Sequence, residues 1–272
     1  MIAALFVETD GCYFNQPGIE PWDIAKDARN YTGPHRVVAH PPCQRWGKYW
    51  HGAPNKPHQF RLGEDHGCFA VALTAIRNYG GVLEHPAYSH AWPWFGLSEP
   101  PARGWSRADK FGGMTCYVEQ GHYGHLSRKG TWLYAVGCGT PELIWGPSAQ
   151  KIHPVALAKH GYAKARRIGM MAMIGGKDKT KLRNATPPLF RDCLLSLATA
   201  SAEWPPPLDP PKDEMEAARR ERNSRDALAP YTVFTYTDDA CVSSALEPSN
   251  TSISLQQPFP QSDSPPSITE SK

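Results

Sequence analysis

Along the first three quarters of the chain, short apolar runs alternate with stretches rich in turn-forming residues. Ala3-Ala4-Leu5-Phe6-Val7 has the length and continuity of a buried strand. Thr9-Asp10-Gly11 and Gln16-Pro17-Gly18 then read as turns, and the polar run from Asp23 to Tyr31 predicts a helix that Gly33-Pro34 stops. Val37-Val38-Ala39 predicts a second strand, running into His40-Pro41-Pro42-Cys43. Asp65 to Tyr79 carries Phe69, Leu73 and Ile76 at helical spacing, and Gly80-Gly81 is a natural stop. Val82-Leu83 predicts the next strand, ending at Glu84-His85-Pro86.

Thr115–Val118 and Thr131–Val136 predict two more strands, separated by Gln120 to Lys129. Thr186 is placed to cap a last helix reaching Ala200, with Pro187 in its first turn and Phe190, Leu194, Leu197 and Ala198 on one face. Strand, loop, helix, strand is the order of a parallel sheet, so the expected fold class is α/β. Cys43 and Glu84 both fall at strand carboxyl ends, where such sheets carry function.

Composition changes this picture after Trp204. From Pro205 to Lys272 there are 11 of the 27 prolines, and 6 basic against 11 acidic residues give a net of −5. This stretch is expected to be a disordered acidic tail, apart from a charged helix over Asp213–Leu228. Residues 1–204 are expected to form the folded domain, and their net +8, offset by the tail's −5, gives the whole-chain +3. The excess sits in one segment: Lys151 to Arg183 holds nine Lys and Arg against Asp178 alone. Such a run suits a polyanionic backbone, with Lys164, Arg166 and Arg167 as candidate phosphate contacts, or else a solvated basic face. No apolar run approaches the ~18 residues of a membrane span. Seven cysteines without a Cys-x-x-Cys pair, and no signal peptide, predict free thiols in the cytoplasm.

The candidate chemistry lies at the strand ends. Pro41-Pro42 would hold Cys43 rigidly toward a pocket, and Arg45 and Lys48 would favour its thiolate. A Glu84 enclosed by Leu83, Pro86 and aromatic residues would have a raised pKa and could donate to a ring nitrogen. Arg128 and Lys129, between two strands, could meet phosphate or developing charge. A buried inert cysteine, a carboxylate capping nearby amides and a hairpin tip are the plainer alternatives for these three places.

Taken together and in order, these residues resemble the motifs of cytosine-5 DNA methyltransferases. Pro41-Pro42-Cys43-Gln44 is similar to the family's nucleophile loop, and Glu84-His85-Pro86 stands where the family has Glu-Asn-Val. Gln120 to Lys129, followed by Thr131-Trp132-Leu133, is similar to the Gln-x-Arg-x-Arg region, and closer to a phage-type variant. Arg183-Asn184-Ala185-Thr186-Pro187-Pro188 is similar to the segment that opens the last helix. The resemblance covers Val37 to Ala200. It implies a Rossmann-like methyltransferase fold, shortened at the N-terminus, with DNA as partner and no obligate protein partner. It implies Cys43 as nucleophile on a flipped cytosine, with Glu84, Arg128 and Lys129 assisting. Phe6, Asn184 and Thr186 would face S-adenosyl-L-methionine, and no metal is needed. It also implies a bacteriophage origin.

The donor half departs from the family. Where several glycines are expected after the first strand, the chain has Glu8-Thr9-Asp10-Gly11-Cys12-Tyr13-Phe14, and Glu20 and Asp23 are the nearest carboxylates for a ribose. Two other readings compete. One is a zinc deaminase, in which Trp46 occupies the place of a second cysteine ligand. The other is a non-catalytic nucleic-acid-binding protein on the same fold.

Overall fold

A computed structural model describes residues 1–52, 60–149, 151–152, 154–168 and 183–200. The expected tail and the helix over 213–228 lie outside the described residues. The fold is mixed α/β, built on a seven-stranded sheet. Its strands are β1 (Ile2–Leu5), β2 (Ile19–Trp22), β3 (Arg36–Ala39), β4 (Gly81–Pro86), β5 (Trp105–Arg107), β6 (Met114–Glu119) and β7 (Gly130–Val136). The spatial order is β2-β1-β3-β4-β7-β6-β5. The half from β2 to β4 is parallel, whereas β7 runs against both β4 and β6, and β5 against β6.

Two helices cover the sheet, and the alternation along each strand explains why. α1 (Cys68–Tyr79) buries Phe69, Leu73 and Ile76 with Ala3, Leu5, Val37, Ala39, Leu83 and Tyr134. The opposite face carries Ile2, Ala4, Val38, Val82, Leu133 and Ala135, and the last helix buries Phe190, Leu194 and Leu197 with them. Period-two strands between two amphipathic helices thus make two cores from one sheet. Each large side chain contributes about 2 kcal/mol of burial. Gly81 shows how closely the sheet is packed: a Cβ there would lie 1.9 Å from the Val37 carbonyl oxygen.

Two further α-helices lie among the described residues. α2 (Ala91–Trp94) follows β4, and α3 (Pro154–Ile168) is kinked at Gly161; the helix just described over Pro188–Thr199 is α4. Ala156 and Ala165 of α3 pack with Ile152 in a small cluster of their own. None of the described helices is long and apolar enough to cross a membrane.

The five predicted strands and both covering helices fall where the pattern placed them, within a few residues, while β2 and β5 were not predicted. Three details differ. Asp23–Tyr31 is not an α-helix: turns lead into one 3-10 turn, Ala28–Asn30, because Asp23 and Asp27 fold back onto the amides that follow them. Thr186 does not cap α4, whose cap position is Pro187 with no side-chain bond. The sheet is parallel only in its first half, because Gly130–Val136 returns as a hairpin partner of β6 and then pairs with β4.

Candidate functional site

The chain after β1, the chain after β3 and the end of β4 open onto one cleft of about 890 Å³. Phe6, Tyr13, His40, Cys43, Glu84 and Lys129 line it, with 183–186 closing one side. Each side chain is placed by a specific local feature. Phe6 leaves β1 in the left-handed region, φ 58°, which turns the chain out of the strand direction at once. His40 N–H still donates to the Leu5 carbonyl at 3.0 Å, so β3 keeps its parallel partner up to the turn. The Cys43 carbonyl then accepts from Trp46 N–H at 3.1 Å and from Gly47 N–H at 3.0 Å. Trp46 anchors that turn: its ring is buried against Phe69, Trp94 and Phe95, and its Nε1–H donates to Asp65 at 2.7 Å.

Cys43 is half-buried. Burial pushes its thiol up and the Glu84 charge adds to this, while Lys129 and Arg183 pull the other way. Arg45 and Lys48 do not supply the expected stabilisation of a thiolate. Arg45 donates to the Trp50 carbonyl and lies over the Phe60 ring, and Lys48 lies over Tyr49.

Glu84 is buried, and both carboxylate oxygens are engaged. Oε2 accepts from His40 Nδ1 at 3.0 Å and Oε1 from Gln120 Nε2 at 3.0 Å. Gln120 is itself held, since Nε2 also donates to Thr131 Oγ1 at 3.0 Å. Burial works to raise the Glu84 pKa, but the hydrogen bond and charge of His40, and then Lys129, outweigh it and hold the carboxyl at about 2. This corrects the expectation of a raised pKa. The sequence indicated the apolar neighbours Leu83 and Pro86 but not the imidazole that the fold brings from another strand end.

Lys129, like Arg183, lines the cleft. Its backbone is left-handed, φ 43°, and its Nζ donates to the carbonyls of Asn184 at 3.3 Å and Ala185 at 3.1 Å. Burial pushes its ammonium down, while Glu84 and Cys43 hold it up. Arg128 is exposed and does not line the cleft; its charge falls on Tyr117 and Glu119. Adjacent residues at a hairpin bend point apart, so only one of the two can serve the site.

Phe6, Asn184 and Thr186 also line the cleft. Lys164 and Arg166 are exposed on α3 and do not line it, and the side chain of Arg167 lies outside the described residues. Two participants were absent from the expected set. His40 bonds Glu84, and the buried Tyr13 hydroxyl lies 2.8 Å from His40 Nε2. The available signals were a histidine directly before Pro-Pro-Cys and a tyrosine in the turn-rich stretch after the first strand.

Among the described residues no three His, Cys, Asp or Glu side chains are grouped to hold a metal ion, and Trp46 belongs to the core. No family model, curated protein or solved structure matches the chain.

Proposed function

We propose that this protein is a DNA cytosine-5 methyltransferase-like enzyme, which takes a flipped cytosine into the cleft and adds the Cys43 sulfur to carbon-6 of the ring. One observation carries the reading. Cys43, Glu84, Lys129, Phe6, Asn184 and Thr186, drawn from five separate segments, line a single cleft. A thiol, a carboxylate and a cation around a ring-sized space suit nucleophilic addition to a polarised pyrimidine. Addition makes carbon-5 electron-rich, Glu84 faces the ring nitrogen, and Lys129 offsets the charge that develops. A base inside a duplex cannot reach such a cleft, so the substrate is an extruded or single-stranded nucleotide.

The sheet order supports a Rossmann-like reading of the first half. The chain passes from β1 outward to β2 and returns on the other side of β1 at β3. Crevices at the carboxyl ends of two such strands are where doubly wound sheets take ligands, and the cleft opens there. With one strand outside β1, this half is short. The exposed Lys164 and Arg166 suit a backbone contact.

S-adenosyl-L-methionine does not fit the residues present. In doubly wound nucleotide sites an acidic side chain near the second strand holds the ribose. Here Asp23 follows β2, but it accepts from Thr9 Oγ1 at 2.7 Å and from the Ala25 and Lys26 amides at 3.1 Å, and it does not line the cleft. Glu20 is paired with Lys26. Gly11 is no ligand cradle either, since a Cβ there would meet the Glu8 carbonyl at 2.7 Å, a contact within its own turn. No transfer step is therefore derived. This mismatch favours the second reading, a nucleic-acid-binding protein that has lost the chemistry.

A duplex carrying 5-azacytosine separates the two. Nitrogen at ring position 5 makes carbon-6 electrophilic enough that thiol addition needs no methyl donor. A complex that survives denaturing electrophoresis, and is lost in Cys43→Ser, supports the enzyme. Tight binding without an adduct supports the binding protein.

A further inference from the structure

Glu84 has no proton to give in the resting site, yet addition at carbon-6 places an electron pair on ring nitrogen N3, which must take one. We infer that His40 is the proton source for Glu84, and that Tyr13 is the residue that holds His40 to the task. This rests on the proposed thiol addition and adds two residues to it.

The geometry is a chain of three side chains from three strand ends. Tyr13 follows β1, His40 follows β3 and Glu84 lies on β4, joined at 2.8 Å and 3.0 Å. Both imidazole nitrogens are occupied, so the ring orientation is fixed. With Nδ1–H directed at Glu84, the hydroxyl of Tyr13 serves either charge state of the ring: it accepts from the imidazolium and donates to the neutral form. Glu84 Oε1 is held by Gln120, and each carboxylate oxygen has a further lone pair free for a ligand.

In the step itself, Cys43 gives its thiol proton to water and its sulfur forms the S–C6 bond. The C5=C6 pair becomes C4=C5, and the N3=C4 pair moves onto N3. N3 takes a proton through the Glu84 carboxyl, which is replenished from His40 Nδ1. Imidazolium becomes imidazole, Glu84 ends as it began, and the adduct is neutral. His40 does not touch the base, so it is a positioning and proton-supplying residue. Other groups facing this chain are Lys129 from the β6–β7 hairpin, Arg183 ahead of α4, Arg191 and Asp192 on α4, Cys12 and Cys43. His85, also on β4, is held neutral by burial, at about 4.

The test is the rate of adduct formation on a 5-azacytosine duplex as a function of pH, for the full chain and for His40→Gln and Tyr13→Phe. The glutamine amide keeps a hydrogen bond to Glu84 but carries no transferable proton. The parent rate is expected to fall on the alkaline side. His40→Gln is expected to be about 100-fold slower, as for loss of a general acid, with that limb absent. Tyr13→Phe removes the hydroxyl that holds the imidazole, so the limb should shift, with a smaller loss of rate. Tyr13→Phe keeps its ring, so it answers the question even if His40→Gln fails to fold. A parent that forms the adduct, with an unmoved pH profile in Tyr13→Phe and an unchanged rate in His40→Gln, overturns the relay and leaves the thiol addition standing. A parent that forms no adduct overturns both.

Discussion

Asp65 joins the nucleophile loop to the core, and its removal should be felt in both. The side chain is buried and accepts three hydrogen bonds: Trp46 Nε1–H at 2.7 Å, Phe69 N–H at 2.8 Å and Gly67 N–H at 3.0 Å. Asp65→Ala leaves the Trp46 and Phe69 donors buried without an acceptor, at about 1–3 kcal/mol each. Part of this is returned, because burial raises the Asp65 pKa and its charge is held against that cost. A net loss of about 3 kcal/mol is expected, which lowers Tm by roughly 6–12 °C for a domain of this size. Asp65→Asn retains one acceptor oxygen and should lose about half as much. Urea unfolding followed by tryptophan fluorescence measures this. Since Trp46 N–H bonds the Cys43 carbonyl, alkylation of Cys43, read by peptide mass spectrometry, should also quicken. A loss under about 1 kcal/mol would refute the assigned bonds. A large loss with unchanged Cys43 labelling would refute the link from Asp65 to the loop.

Three further outcomes follow from the site. Glu84 ionises at about 2 when folded, against an ordinary 4.5, so its stabilisation is full above about pH 4.5 and is lost as pH falls toward 2. Glu84→Gln should erase on the order of 3 kcal/mol of acid dependence in that window, and parallel acid-unfolding curves for parent and variant would contradict the pairing with His40. Arg128→Ala should leave adduct formation within about twofold, whereas Lys129→Met should slow it by about tenfold or more; equal effects would mean the hairpin is read wrongly. Replacing Lys164, Arg166 and Arg167 together by Ala should weaken DNA binding and reduce the salt slope by up to about three, and an unchanged slope would turn that face away from DNA.

How far the sequence foretold this molecule depends on whether local pattern or long-range contact decides each feature. Phe69, Leu73 and Ile76, and likewise Phe190, Leu194 and Leu197, lie on helix faces whose spacing is visible directly, and the core uses them accordingly. Val37–Ala39 and Thr131–Val136 are apolar enough to be strands in any context. Ile19–Trp22 and Trp105–Arg107 were not legible. Pro21 and Glu20 in one, and Ser106 and Arg107 in the other, break the apolar pattern, and both are edge strands, which tolerate this. The convergence of Cys43 and Glu84 was legible through strand ends, whereas Lys129 was named together with Arg128 from the loop between two strands. The ionisation of Glu84 was not, because His40 lies 44 positions away and its partner Tyr13 a further 27. The same distance hid the spent state of Asp23, whose hydrogen bond from Thr9 spans 14 positions. The basic segment remains half-described: Lys164 and Arg166 are exposed, while 169–182, with three more lysines, lie outside the described residues.

The central claim is that the sulfur of Cys43 bonds to a pyrimidine ring. Its most direct test is peptide mapping by mass spectrometry of the full chain after incubation with a 5-azacytosine duplex and nuclease digestion. The account predicts a single peptide, spanning Cys43, that carries the mass of the modified nucleotide, with nothing on Cys12 or Cys193, and no such product from Cys43→Ser. A nucleotide on another cysteine, or DNA binding with no modified peptide at all, would contradict it.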